Sequence, residues 1–265
     1  MIEGSLLSHL LELRTRLIRI ISVMMIGFIP CAFYARELYT ILAQPLLEKL
    51  PQGGQMIATD VATPFFVPMK VALMLAFVIT LPHTLYQAWA FVAPGLYTHE
   101  KRLALPLVIG SSLLFFSGML FAYFAALPLV FEFITYFAPE GVAVMTDINK
   151  YLSFVLSMFM AFGITFEVPV IVMILVRTNL ISIEKLREIR PYVIVGAFVI
   201  AAIVTPPDVI SQFMLAVPLC LLYEVGIIIA NATLKKAAKE NVKTSPAEST
   251  ESAAKTATEH DELNK

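Results

Sequence analysis

Charge is scarce in this chain, at 15% of its 265 residues, while hydrophobic residues make up 58%. No soluble domain of this size is so apolar, so the sequence belongs to the membrane class. Cysteine is nearly absent. Cys31 and Cys220 each lie inside an apolar run, which excludes an exposed disulfide framework and leaves both as core filler. The chain lacks G-x-x-x-x-G-K-[ST], so no P-loop drives work here, and it lacks H-E-x-x-H. Gly110-Ser111-Ser112 is not a nucleophile elbow, and no His-Asp set accompanies it. An intramembrane enzyme therefore finds neither a nucleophile–base pair nor metal ligands.

What is present is a series of apolar stretches: Leu17–Tyr34, Val71–Ala93, Leu103–Phe137, Tyr151–Val176, Tyr192–Val204 and Val209–Ala230. In lipid each must be helical, because no water satisfies exposed backbone groups. A span needs about 20 residues, and the first, second, fourth and sixth fit. The third, at about 35 residues, would make about 50 Å of helix, so it must tilt, kink at Pro128 or project. The fifth, at about 13 residues, reaches only about 20 Å. Pro206-Pro207-Asp208 then turns the chain back, so the last two helices form a short hairpin. Arg14, Arg16 and Arg19 before Ile20–Phe33 imitate a leader, but Ala32-Phe33-Tyr34-Ala35 offers no A-x-A site, so the first span is expected to be retained.

The basic residues set the expected orientation. Arg14, Arg16, Arg19, Lys101, Arg102, Arg177, Lys185, Arg187, Arg190, Lys235 and Lys236 fall on one side of a six-span arrangement. Arg36, Lys49, Lys70 and Lys150 fall on the other. The positive side is cytoplasmic, which places both termini inside. Residues 1–234 then form the membrane domain, and the Ala/Glu/Lys/Ser/Thr-rich residues 235–265 form a disordered cytoplasmic tail. In the outer loop Ala35–Val67, Leu38, Leu42, Leu46 and Leu47 suggest a short amphipathic helix. Thr63-Pro64 reads as a cap opening the second span.

Glu167 stands out because the run Leu152–Val176 contains no other charge. Burying a charge in hydrocarbon costs roughly 3 kcal/mol on insertion scales, and intramembrane acids commonly mark functional sites. Ser153, Ser157, Met160, Ile164 and Glu167 share one helical face, and Gly163 leaves a notch beside it. A docking point, a gate and a proton carrier are all open to this acid, as is a plain hydrogen bond to a neighbouring helix. Glu224 is a second intramembrane acid, close enough to the helix end to reach the interface. Glu12 and Glu100 lie at the inner surface. Two carboxylates there suit two guanidinium groups, each able to bind as a fork, although Glu12 could equally pair with Arg16. Thr80, Thr84 and Gln87 share a face that can line a cavity or bond another helix, and His83 reads as a packing residue. Gln212, with Thr205 and Asp208, forms a polar cluster at the outer edge, or a helix cap with Asp208 at its start.

These residues resemble the TatC family, the multispanning subunit of the twin-arginine protein translocase. The likeness rests on His9–Arg14, Gln44-Pro45-Leu46, Met56–Phe66, Gln87–Leu96, His99-Glu100, Tyr151–Pro169, Arg190-Pro191-Tyr192 and Thr205–Asp208, and it runs from about residue 5 to about 230. It implies an all-α membrane protein with six transmembrane helices in a cupped bundle, the last two short, in a bacterial inner membrane. It implies a receptor for twin-arginine signal peptides of folded cargo rather than an enzyme. Glu12 and Glu100 would meet the arginine pair, with Phe91, Arg14 and Lys101 on the same surface. Glu167 would be the acid of the concave face. Gln212, Thr205 and Asp208 would dock single-span TatA/TatB-type subunits, and Pro45 and Asp60 would belong to an outer cap. Self-association in the bilayer, proton-gradient drive, no cofactor and no nucleic acid complete the expectation. A proton-coupled solute carrier would use the same acids, but it usually shows repeated halves, and the sequence has none.

Overall fold

The computed structural model describes residues 2–48, 55–92, 101–136, 145–178, 180–205 and 209–262. Its helices are α1 (Ile2–Phe33), α2 (Ala35–Leu47), α3 (Thr63–Ile79), α4 (Leu81–Val92), α5 (Lys101–Phe121), α6 (Leu127–Tyr136), α7 (Ile148–Phe166), α8 (Val168–Arg177), α9 (Ile183–Glu188), α10 (Arg190–Val204) and α11 (Val209–Glu262). Two short strands, β1 (Gln55–Ile57) and β2 (Met145–Asp147), pair in parallel, with Gln55 opposite Met145 and Ile57 opposite Asp147. This pairing joins two loops that the sequence reading treated as separate.

Four helical stretches are long and apolar enough to cross a membrane: Ser8–Phe33, Leu105–Ile134, Ile148–Arg177 and Val209–Lys235. The α3–α4 pair adds a fifth if its two halves count as one span, but they bend by 60°. The bend lies at Thr80 (φ −88°, ψ 3°), whose hydroxyl donates to the Ala76 carbonyl at 2.8 Å. Pro82 follows, and its ring cannot sit over the Val78 carbonyl in a straight helix. The single span expected over Val71–Ala93 is thus a broken one that starts at Thr63. Ala62, not Thr63, occupies the capping position, and it makes no side-chain cap. The fifth stretch of the sequence, α10, has only 15 residues and is short for a bilayer, as its sequence predicts.

The long third stretch takes the kinked solution. A π-helical turn at Ala122–Ala126 separates α5 from α6 just before Pro128. The wider turn makes room where the proline ring would strike the Phe124 carbonyl. Ala122, Ala126 and Leu127 are wholly buried there. Around them Val130, Phe131, Tyr151, Val155, Met158, Phe159, Phe162 and Leu215 form the main core.

α5 and α7 cross closely because each offers a glycine. A Cβ on Gly118 would lie 2.5 Å from the Phe162 carbonyl oxygen, and one on Gly163 would lie 2.4 Å from the Phe115 ring. Small residues are the usual means of close helix approach in lipid. The Gly163 notch is therefore filled from within the chain rather than left for a partner.

α2 packs against α3 and α6. The Tyr123 hydroxyl donates to its Ile41 carbonyl at 2.9 Å, and the Tyr151 hydroxyl donates to its Leu42 carbonyl at 2.6 Å. The backbone of α11 continues as helix to Glu262, where the composition predicted no structure. Ala, Glu and Lys are good helix formers, and the anchored span supplies the nucleus that a free peptide lacks.

Candidate functional site

The first cluster forms where α4 packs beside α1. One turn of α1 brings Glu12 under Arg16, whose Nε and Nη2 both donate to Glu12 Oε1, at 3.0 Å and 2.5 Å. The same guanidinium donates through Nη1 to Gln87 Oε1 on α4 at 3.2 Å. Gln87 is buried. One turn farther along α4, the Phe91 ring stacks on His9, with centroids 4.3 Å apart and planes 14° from parallel. His9 Nδ1 in turn lies 3.9 Å from Glu12 Oε2. Both arginine bonds fall on one carboxylate oxygen, so Oε2 keeps open acceptor sites on a side chain that is 40% exposed.

The local ion pair anticipated for Glu12 and Arg16 is thus present. Arg14 is exposed, but at two residues from Glu12 it points to another side of α1. Glu100 lies outside the described residues. Lys101 opens α5, and its side chain is likewise outside the described set.

The second site is Glu167, at the joint between α7 and α8. Its φ of −76° and ψ of −14° tighten the chain, and its N–H bonds the Ile164 carbonyl three residues back at 3.0 Å. Pro169 causes the break, since it lacks an N–H and crowds the preceding turn. The break also re-aims the side chain. Ser153, Ser157 and Ile164 on its expected face are exposed, whereas Glu167 is only 5% exposed. Neither carboxylate oxygen closes a hydrogen bond of normal geometry, and the Ser111 hydroxyl of α5 lies nearby. Ser111 is itself fully buried and accepts from the Trp89 indole N–H of α4 at 3.0 Å. Trp89 packs with Leu107 of α5 and with Val170 and Ile174 of α8. Sequence reasoning gave Trp89 no role and weighed Ser111 only as a nucleophile, because a serine in an apolar run carries no other signal until its neighbours are known.

The outer-edge residues are mostly used within the chain. Gln212 Nε2 donates to the Phe198 carbonyl at 3.1 Å and ties α11 to α10. The buried Thr205 hydroxyl donates to the Ala201 carbonyl at 2.8 Å at the end of α10. Asp208 lies outside the described residues. A groove of about 360 Å³ runs along α11 between Val209, Ile210, Phe213, Met214, Val217 and Pro218. Glu224, expected to reach the interface, meets Arg190 of α10 at 2.6 Å.

Pro45 lies in the last turns of α2, with its side chain outside the described set. Asp60 is exposed, and its backbone carbonyl accepts from Thr63 at 3.2 Å. Asp147, which the sequence reading missed, has several partners. It caps α7 by accepting from the Asn149 and Lys150 amides, each at 2.9 Å, and it takes the Thr59 hydroxyl across the paired strands. The Thr59 bond above all, then the Lys150 amide, holds its carboxyl below the ordinary 3.8. An aspartate just ahead of a helical run is a capping signal that could have found it.

A cluster at one membrane face and an acid sunk in the bundle are joined here by one frame of helices, and known proteins share that frame. The family model described as Sec-independent protein translocase protein (TatC) matches residues 8–218. The chain belongs to the TatC family. It is 51% identical over 225 residues to the TatC protein of Escherichia coli strain K12, covering 85% of this chain and 87% of that one. With TatC of Aquifex aeolicus the identity is 41% over 233 residues, covering 87% and 96%. A crystal structure of the twin-arginine translocase receptor TatC superposes with a TM-score of 0.75 at 41% identity, covering 84% of this chain and 98% of that one. As a TatC protein with several apolar spans, the chain is a multi-pass membrane component of protein transport.

Proposed function

We propose that this TatC protein is the receptor and core subunit of a twin-arginine translocase in the bacterial inner membrane, with both termini cytoplasmic. The observation that carries this reading is the Arg16 fork on Glu12, with Oε2 still open. The carboxylate already holds one guanidinium at the basic, inward-facing end of α1, so it has the geometry and charge to take another. Glu100 supplies the second carboxylate for a consecutive arginine pair, and Phe91 gives an aromatic wall beside Glu12. Arg14, on another side of α1 from Glu12, and Lys101 add positive charge around the two acids and help set the register of the peptide. Lysine cannot form the planar fork, so paired lysines bind less well.

Single-span TatA/TatB-type subunits dock along the α10–α11 edge near Gln212, Thr205 and Asp208. The apolar groove on α11 and the exposed faces of both helices support this. Glu167 is the polar point of the membrane interior, and the proton gradient drives export. Pro45, Asp60 and the paired strands support an outer cap through which copies assemble. Photo-cross-linking in native membranes tests the core claim. A twin-arginine peptide should label residues beside Glu12, and Glu12→Lys or Glu100→Lys should abolish the label. Undiminished labelling in both variants overturns the reading.

A further inference from the structure

α4 carries two buried polar side chains that leave it on opposite sides. Gln87 faces α1 and takes Arg16 of the cytoplasmic cluster. Trp89, two residues on and so about 200° around the helix, faces α5 and donates to Ser111. Beyond Ser111 stands Glu167. A helix of 12 residues is thus clamped between the surface cluster and the intramembrane acid. Its other end is the 60° break at Thr80, where the backbone leaves helical geometry. Residues at element ends of this kind absorb rotation when a rigid segment swings.

The chemistry of the clamp has a direction. A serine hydroxyl has one proton to give and two lone pairs to accept with. Here the indole N–H engages the acceptor side at 3.0 Å, which leaves the proton for a different group. The nearby group that still lacks a donor is Glu167, since among the described residues neither of its oxygens has a normal hydrogen bond. Leaving a buried carboxyl without its donor is expensive, so a small rotation of Ser111 matters more here than at the surface.

We infer that Trp89 and Ser111 are positioning residues that couple the Glu12 cluster to Glu167. When an arginine-bearing peptide draws on Glu12 and Phe91, α4 turns about Thr80, the indole–hydroxyl bond opens, and the donor presented to Glu167 changes. The coupling rests on the recognition role proposed for the cluster.

Trp89 is the single tryptophan of the chain, so its emission reports the link directly. The test uses the full-length protein in lipid nanodiscs with a dye-labelled twin-arginine peptide. Anisotropy reads binding, tryptophan emission reads the clamp, and the infrared carboxyl band lost in Glu167→Gln reads the acid. Peptide should shift both the emission and the band. Ser111→Ala should bind peptide like the unsubstituted protein, rest with a displaced carboxyl band, and lose the peptide-induced band shift. Trp89→Phe, which keeps a ring but removes the N–H, should lose the band shift too. Normal binding with emission and band both unmoved overturns the coupling and leaves the recognition role standing. No binding by the unsubstituted protein overturns the recognition role, and the coupling with it. A resting band that Ser111→Ala leaves in place overturns the positioning role whatever the peptide does.

Discussion

In the α7–α8 span 56% of the apolar window is buried within the protein, against 6% in the α1 span. Each span carries one acid of interest, and the two acids are treated in opposite ways. Glu167 is enclosed, with its oxygens lacking normal hydrogen bonds. Glu12 is 40% exposed and holds a guanidinium. In the enclosed span, position is decided by van der Waals fit, since lipid tails give no hydrophobic drive between helices. On the α1 wing position is decided by charge, and the neighbours can reorient in water. The enclosed acid suits a response to small movements of its frame, and the open one suits exchange of partners.

That contrast can be broken most severely at the α5–α7 crossing. Gly163→Leu must displace the Phe115 ring, and overpacking of this kind costs about 1–3 kcal/mol or more. A marked fall in the thermal stability of detergent-solubilised protein is expected. Gly110→Ala, whose new Cβ meets nothing within 4 Å, should be neutral or slightly stabilising. On the charge-governed wing, Glu12→Lys should weaken twin-arginine peptide binding by at least about tenfold, about 1.4 kcal/mol or more, enough to abolish the cross-link, while melting shifts little. Equal loss of stability in Gly163→Leu and Glu12→Lys would erase the distinction between the two regions.

A smaller effect is expected at the Thr59–Asp147 tie. Asp147→Ala removes the α7 cap, which should be seen as faster hydrogen exchange at the Asn149 and Lys150 amides. The pH dependence has a definite sign. The Asp147 carboxyl is held below its ordinary 3.8, so the tie is fully made above that value. It weakens as pH falls through the lower folded-state value, because the unfolded chain takes up the proton first. Exchange at these amides should therefore rise only on strong acidification. The smallest effect belongs to Arg190 and Glu224, each 42% exposed. Arg190→Gln should change stability by under about 1 kcal/mol, and less at high salt.

Particular residues show what could be read in advance. Glu167 is visible as a lone charge in an apolar run, and the Glu12–Arg16 pair is visible from its one-turn spacing. The short α10 and the excess length around Pro128 follow from counting residues against bilayer thickness. The bend at Thr80 was signalled only weakly by Pro82, and the parallel pairing of β1 with β2 not at all. A pairing between distant three-residue strands has no local periodicity to announce it. Gln212 reads as part of a polar cluster or a helix cap, and its in-chain partner, a backbone carbonyl on another helix, has no signal in the sequence.

The linear chain determined membrane residence, the number and rough length of its apolar stretches and the placing of its rare charges, since these depend on composition and on the distance a helix spans per residue. Only the folded arrangement decided which polar groups meet. Trp89, Ser111 and Glu167 come from three separate helices. Their meeting depends on the close α5–α7 approach that Gly118 and Gly163 allow and on the Pro169 break that turns Glu167 inward, and contacts of that kind are set by packing in three dimensions.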